Sequence, residues 1–278
     1  MRQMRISLGM MATVNRAVSL MTLHNPELFT GEESGLRLLM LKIYARFEVQ
    51  LLKVFWFTFQ SPLAKINVTR KLMYLTLAKF MAEHAIAGNY MTLDEVVDFI
   101  NKLPEGNSAF AVGPCRCRLA IGHRVSCPHP LETDIVIASG TPIWLALFPK
   151  DYRVIPKDEA IHIIKDGYEK GLAPGVFRHM YYKGSTNYFA ICNCCKEACL
   201  PIIGYRVFKP EKMKFIPGPS RAVVDPELCQ GCGACVKVCP FEERVLVGGR
   251  SHTINCQGCG LCAFNCPQKA VTMVKRAL

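Results

Sequence analysis

The residues most able to do chemistry in this sequence are its cysteines, of which the 278-residue chain has 15. Eight of them lie in residues 221–278, where the spacing C-x2-C-x2-C-x3-C-P occurs twice with an offset of 27 residues. Three cysteines at this spacing can bind three irons of one iron–sulfur cubane, and the fourth, placed before a proline, is directed toward the other cluster. The repeat therefore predicts two [4Fe–4S] clusters with crossed ligands.

Two sets of four cysteines follow from this crossing. The first cluster is expected on Cys229, Cys232, Cys235 and Cys266. The second cluster is expected on Cys256, Cys259, Cys262 and Cys239. Glycines that recur at the same offset, such as Gly231 and Gly258, would let each loop wind tightly and expose amide groups to cluster sulfur. A pair of zinc sites is the alternative, but zinc motifs use two pairs of cysteines rather than crossed quartets.

Seven further cysteines lie in residues 115–220 at less regular spacing. They are Cys115, Cys117, Cys127, Cys192, Cys194, Cys195 and Cys199. We expect a subset, drawn from both ends of this region, to hold a third [4Fe–4S] cluster, because so many thiols are otherwise hard to explain in a reduced protein. Structural zinc is one alternative, and buried or redox-active cysteines without metal are another. His123 and His129 are candidate ligands, although such histidines more often cap a loop.

Composition supports metal binding rather than a disulfide framework, because the cysteine count is odd and the run Ile6–Val14 lacks the cleavage site of a signal peptide. Apolar residues make up 50% of the chain and charged residues 20%, which excludes a disordered protein. The net charge of +12 treats cysteines as neutral, so a basic shell around anionic clusters explains it. No basic run is interleaved with aromatics, so no nucleic-acid partner is expected.

The elements that must position the cysteines divide the chain into three expected parts. These are a helical region over 1–114, a cysteine-rich α/β domain over 115–220 and a ferredoxin domain over 221–278. The expected fold class is accordingly α+β. In the first part, Leu36–Phe59 predicts a long, mostly apolar helix with a thin basic stripe, and Thr92–Glu95 predicts a capping box that starts a second helix.

The middle part predicts alternating strands and helices. Ile135–Ile137 and Trp144–Phe148 are predicted as short buried strands, and Tyr188–Ile191 as a strand that runs into Cys192. Pro156 should open a helix that ends at Gly171. If the strands near Ile135 and Ile191 lie in one sheet, the two distant groups of cysteines meet at the same end of it.

Four motifs follow one another in the chain. They are Cys115-Arg116-Cys117-Arg118, then Cys127 with Leu131-Glu132-Thr133, then Asp158-Glu159-Ala160 heading a helix, and finally Ile191-Cys192-Asn193-Cys194-Cys195. This order, over residues 90–278, resembles a little-characterised family of multi-cluster 4Fe–4S ferredoxin-like proteins of anaerobic bacteria and archaea. Residues 221–276 resemble the bacterial-type ferredoxin with two [4Fe–4S] clusters. The chain departs from the family at Asp134, where members often carry a cysteine, and at Lys196–Ala198.

The resemblance implies electron transfer with no settled substrate, and no catalytic residue is identifiable. The first hypothesis is an electron carrier that relays single electrons between redox partner proteins. The alternative is a reductase subunit whose middle metal site acts on a small molecule and is fed by the ferredoxin clusters. A zinc-stabilised interaction protein with an appended ferredoxin is a third class. Motifs of hydrolases and of nucleotide-binding loops are absent from the sequence.

The long N-terminal helix has two interpretations. It is either a core helix whose basic stripe, Lys42, Arg46 and Lys53, faces solvent, or a surface that docks on a membrane or partner with Val54–Phe57 as its apolar anchor. The longest uncharged run in residues 1–114, Val54–Ala64, is 11 residues and too short to span a bilayer. We therefore expect a cytoplasmic protein, with peripheral attachment to the membrane as the second option.

Overall fold

A computed structural model describes residues 35–78, 86–103, 110–122, 127–138, 140–179, 190–208 and 217–276. The expectations for Ile6–Val14, His123 and Tyr188–Phe189 concern residues outside these ranges. Helices and strands are mixed throughout the described ranges, as the α+β prediction requires.

A six-stranded antiparallel sheet forms the centre of the molecule. Its strands are β1 Ile86–Tyr90, β2 Phe110–Pro114, β3 Glu132–Ile137, β4 Arg153–Val154, β5 Ala173–His179 and β6 Ala190–Cys194. They lie in the order β1-β5-β6-β3-β2-β4, with every neighbouring pair antiparallel. Ile135 of β3 is opposite Ile191 of β6, which confirms that the two distant segments share a sheet.

Helices cover both faces of this sheet. They are α1 Gly35–Gln60, α2 Asn67–Met73, α3 Leu93–Lys102, α4 Arg116–Ile121, α5 Gly140–Leu147, α6 Lys157–Glu169 and α7 Leu200–Phe208. Side chains alternate along β3, so Ile135 packs with the α3 and α6 cluster while Val136 packs with the α1 and α5 cluster. The predicted capping box of α3 is confirmed, since Thr92 and Glu95 exchange side-chain and backbone hydrogen bonds.

Two predictions of secondary structure differ from the structure. The first concerns the helical region over 1–114, whose described residues contain β1 and β2 besides helices, because pairing with β5 and β3 outweighs local preference. The second is the strand over Trp144–Phe148, because Trp144 lies in helix α5, fully buried against α1. A short apolar run has no periodicity that separates a buried strand from a buried helix.

Helix α1 confirms the prediction of a long N-terminal helix, and its basic stripe is exposed. The run Val54–Phe57 does not form a single surface, because Phe55 packs in the core while Val54 and Phe57 are exposed. An unbroken run of four residues must turn around a helix, so it cannot anchor as a unit. None of the helices in the described ranges has the length and apolar character needed to cross a membrane.

The C-terminal part contains two copies of one local structure. Its elements are β7 Ser220–Val224, α8 Ala234–Lys237, β8 Arg244–Val247, β9 Arg250–Thr253, α9 Leu261–Phe264 and β10 Val271–Lys275. Strand β7 pairs with β10 and β8 with β9, both antiparallel. Helices α8 and α9 each follow a left-handed glycine, Gly233 at φ 77° and Gly260 at φ 76°. The sequence repeat thus becomes a structural repeat.

Candidate metal centres

The first cavity of the C-terminal part, with the space open to solvent at its mouth, spans about 330 Å³. Its walls contain the four cysteines Cys229, Cys232, Cys235 and Cys266. Three come from the first quartet and the fourth from the second, because α9 and the turn after it fold back toward α8. A Cβ at Gly231 would lie 2.0 Å from the carbonyl oxygen of Gly249, so this loop is packed too closely for any side chain there.

The second cavity spans about 340 Å³ on the same measure, and the complementary four cysteines line it. They are Cys239, Cys256, Cys259 and Cys262. Arg244 is buried in its wall, and its Nε and Nη2 atoms have no hydrogen-bond partner among the described residues. Burying these unpaired N–H groups costs free energy, and an anion bound in the cavity would offset this cost. A cubane with four thiolates is such an anion. Burial raises the pKa of the Cys262 thiol to about 11, against the attraction of Arg244.

The described residues contain no group of three or more His, Cys, Asp or Glu side chains that could hold a metal ion. A single tetrahedral zinc needs its ligand atoms within about 2.0–2.3 Å of one point. The thiolates of a cubane instead each bind a different iron, so they must surround a volume. A cavity between cysteines is the feature that all three candidate sites share.

The third cavity lies in the middle region and, with the space open to solvent at its mouth, spans about 530 Å³. Six of the seven middle cysteines line it: Cys115, Cys117, Cys192, Cys194, Cys195 and Cys199. They come from both ends of the region because β3 pairs with β6, which places Asp134 opposite Cys192. Cys127 is outside the lining, and His129 is 3.7 Å from the Glu197 carboxylate.

Five of these thiols form a chain in which each thiol shifts the pKa of the next. In order they are Cys115, Cys117, Cys199, Cys194 and Cys192. Burial raises the pKa of the Cys199 thiol well above its usual range, so ionisation there needs a nearby cation. Iron supplies such a charge, since cluster ligands are thiolates. The donor set therefore fits a cluster.

Buried charges stand at the edge of this cavity. Arg116 Nε donates to Glu48 Oε2 at 3.0 Å, and Tyr44 also donates to Glu48, at 3.2 Å. The Arg116 guanidinium lies 4.1 Å above the Phe148 ring. Burial raises the pKa of the Glu48 carboxyl, although Arg116 opposes this effect. Glu48 was not predicted as a site residue. An acidic residue on the largely apolar surface of α1 could have indicated that it has a buried partner.

Asp134, where the resembled family often carries cysteine, also lines this cavity. Its Oδ2 accepts a hydrogen bond from Tyr152 at 2.6 Å, and its Oδ1 lies 3.5 Å from the Cys192 thiol, which donates to it. Asp134 is buried. The Asp134 carboxylate thus lies beside the cysteines of this cavity. Tyr152, in the segment before β4, holds it there by a hydrogen bond.

Aromatic side chains connect the middle cavity to the second cavity. The Tyr90 hydroxyl is 3.7 Å from Cys199 Sγ, and the Tyr90 ring contacts the Phe241 ring edge-on with centroids 4.7 Å apart. Phe241 lines the second cavity. Cys199, Tyr90, Phe241 and Cys259 belong to one hydrophobic cluster. The two cavities therefore share a continuous packed wall, which the sequence did not predict.

Comparison with known proteins supports the iron–sulfur interpretation. The 4Fe-4S binding domain family matches residues 222–242. A protein of Magnetococcus marinus that is one subunit of an ion-translocating oxidoreductase complex is 49% identical over 37 residues, which is 13% of this chain and 20% of that protein. No solved structure matches the chain. These similarities support a ferredoxin-like iron–sulfur protein of electron transfer that binds at least one [4Fe–4S] cluster.

Proposed function

We propose that this protein relays single electrons between redox partner proteins through three [4Fe–4S] clusters, one in each cysteine-lined cavity. The main support is that each C-terminal cavity is lined by the four cysteines that the crossed-ligand spacing pairs. When bound, each cluster supplies one-electron chemistry. The chain holds the thiolates, adds the positive charge of Arg244 and excludes water from the buried walls.

The relay has an order. Cys232 in the first cavity is exposed, whereas all four cysteines of the second cavity are buried or half-buried. The Tyr90–Phe241 contact joins the second cavity to Cys199 in the third. We therefore place the first cavity at the surface, facing a redox partner, and the middle cavity at the inner end. The Magnetococcus relative belongs to an ion-translocating oxidoreductase complex, which suggests partners of the oxidoreductase class for this chain too.

Metal analysis of the full chain, reconstituted without oxygen, tests this proposal. Three cubanes require about twelve irons and twelve sulfides per chain. Dithionite should bleach the visible absorption reversibly and give the EPR signals of interacting clusters. About eight irons with one zinc would show that the middle cavity holds a structural metal instead and would overturn the third cluster.

The reductase alternative rests on a different observation. The middle cavity, at about 530 Å³, is larger than the two others, and Arg116, Glu48 and Asp134 give it charged walls. If one iron there lacks a thiolate, a small ligand can reach it. Added cyanide would then change the EPR signal of this cluster, whereas a cluster with four thiolates would not respond.

Docking through helix α1 is the second part of the proposal. Large apolar side chains are exposed along it at helical spacing: Leu36, Leu39, Ile43, Phe47, Val54 and Phe57. Lys42, Arg46 and Lys53 are exposed beside them, and Glu48, the only acid in residues 35–78, is buried. An apolar stripe beside a basic stripe is typical of helices that lie on an anionic lipid surface.

Vesicle sedimentation tests this docking. The full chain should bind phosphatidylglycerol vesicles, and the triple variant Ile43→Ser, Phe47→Ser, Val54→Ser should lose binding without loss of fold, because all three side chains are exposed. Val68→Ser, at an exposed apolar residue outside α1, is the matched control. Binding that persists in the triple variant, or self-association in place of binding, would contradict the lipid surface.

A further inference from the structure

Two of the seven middle thiols stand apart from the chain of five. The Sγ atoms of Cys127 and Cys195 are 3.4 Å apart, and both side chains are buried. The two residues come from segments before β3 and after β6. They pack with Leu172 and Ala198 in a small apolar cluster of their own. Their contact is thus made by the tertiary structure and not by their positions in the sequence.

Arg118 fixes the position of this pair. Its guanidinium donates to the carbonyl oxygen of Asn193 at 2.9 Å and to Thr133 Oγ1 at 2.6 Å. It also donates to the carbonyl oxygen of Pro130 at 2.6 Å. Pro130 and Thr133 follow Cys127 in the chain, and Asn193 precedes Cys195. A fully buried positive charge therefore ties together the two segments that carry the thiols.

The number of thiols makes the pair available. A cubane takes four thiolates, and the set of Cys115, Cys117, Cys192, Cys194 and Cys199 already offers five. Cys127 does not line the cavity, while Cys195 lies in its wall. A cluster in this cavity would therefore be adjacent to the pair without needing either sulfur as a ligand.

We infer that Cys127 and Cys195 form a redox-active dithiol–disulfide pair that exchanges electrons with a cluster in the middle cavity. This inference rests on the proposed relay for its electrons. In the reduced direction, the S–S bond breaks, two electrons and one proton are taken up, and a thiol and a thiolate beside Arg118 form. Each reduced cluster loses one electron, so two transfers complete the reaction, and oxidation is the reverse.

The geometry suits this chemistry. A disulfide needs an S–S distance of about 2.05 Å, so the 3.4 Å separation of the two sulfurs must shorten when the bond forms. Burial keeps external thiols away from both sulfurs, so electrons rather than thiol exchange must reach the pair. The Arg118 charge favours the state with an ionisable thiol over the neutral disulfide. The pair converts one-electron transfer along the relay into a two-electron step at its inner end.

Quenching and mass mapping of the full reconstituted chain test the inference. The protein is poised anaerobically at a series of potentials, quenched in acid and alkylated, and its peptides are identified. We expect a peptide crosslinked through Cys127 and Cys195 at oxidising potential, replaced by two alkylated thiols after dithionite, with a two-electron slope. Arg118→Leu should shift the midpoint to more negative potential, and Arg118→Lys should restore part of the shift.

Iron content separates this outcome from a ligand role. Cys127→Ser should keep all of the iron and abolish the crosslink, whereas the double variant Cys194→Ser, Cys199→Ser should lose about four irons. Loss of about four irons in Cys127→Ser, or no crosslink at any potential, would overturn the inference. If dithiothreitol in denaturant opens a native crosslink that dithionite never opens, the pair exists but its link to the relay is wrong. If the middle iron is absent while the crosslink still cycles with mediators, the proposed third cluster fails instead.

Discussion

The C-terminal region and the middle region both surround cavities with cysteines, but they assemble them in different ways. In the C-terminal region, Gly233 and Gly260 each start a four-residue helix that carries one cysteine, so local spacing does most of the positioning. In the middle region, the cavity depends on the pairing of β3 with β6 and on Glu48 from α1, 68 residues before Arg116. Where short loops and helices position the cysteines, their spacing in the sequence predicts which of them share a site. Where a sheet brings distant cysteines together, the spacing does not predict this.

The largest expected effect is the loss of one whole cluster. It is expected at a cysteine that is close in sequence to one quartet but lines the cavity of the other. Cys239→Ala should remove the cluster of Cys256, Cys259 and Cys262 and about four irons, because Cys239 lines their cavity. EPR of the reduced variant measures which signal disappears. Cys266→Ala is the matched control and should remove the other cluster. Loss of the Cys229 cluster in Cys239→Ala would break the comparison, since sequence neighbours would then share a site.

The next largest effect concerns the long-range support of the middle cavity. Glu48→Ala leaves Arg116 as a buried, unpaired charge, so the free energy of unfolding should fall by about 3–5 kcal/mol. Urea unfolding of the anaerobic holoprotein, followed by circular dichroism, measures this change. Glu48→Gln keeps the shape and an acceptor for Arg116 and should cost less. Equal stability of Glu48→Ala and the parent would mean that α1 does not support the cavity.

A smaller effect on stability, but a specific one on kinetics, is expected where the two regions meet. Phe241→Leu should cost about 1 kcal/mol of stability, as hydrophobic replacements of similar size do. It opens the contact with Tyr90, so electrons should pass more slowly from the second cavity to the middle one. Stopped-flow reduction, read at the signal of the middle cluster, measures the rate. Phe264→Leu, at a half-exposed ring outside this wall, is the control; equal rates in both variants would remove the Tyr90 route.

The smallest effect tests a polar connection between the same regions. Glu95 of α3 accepts hydrogen bonds from Ser220 of β7 at 2.5 Å and from Lys275 of β10 at 2.6 Å. These bonds lower the pKa of its carboxyl against the effect of burial. Glu95→Gln should cost about 1 kcal/mol, since Lys275 is exposed and solvent screens its charge. Asp94→Asn, the neighbouring acid in the same turn, should leave the urea midpoint unchanged; equal shifts would indicate a helix-end effect only.

Helices with strong local signals could be predicted from the sequence, and short buried elements could not. The α3 capping box was readable at Thr92 and Glu95 because its hydrogen bonds form within four residues. The run Trp144–Phe148 was predicted as a strand, but Trp144 lies in helix α5. A short apolar run has no periodicity that distinguishes a strand from a helix. Strands β1 and β2 were missed because their partners lie far away in the chain.

The sequence by itself determined the cofactor class, the crossed quartets as a prediction, the long helix α1 and the origin of the middle cysteines at two distant segments. These follow from spacing, since loop and helix geometry act over a few residues. Only the tertiary structure decided which side chains face each cavity, that Glu48 pairs with Arg116, and that Tyr90 and Phe241 join two of the sites. It also brought Cys127 and Cys195 into contact. Such contacts depend on the register of β3 on β6 and on helix packing, and neither is encoded in the distance between residues along the chain.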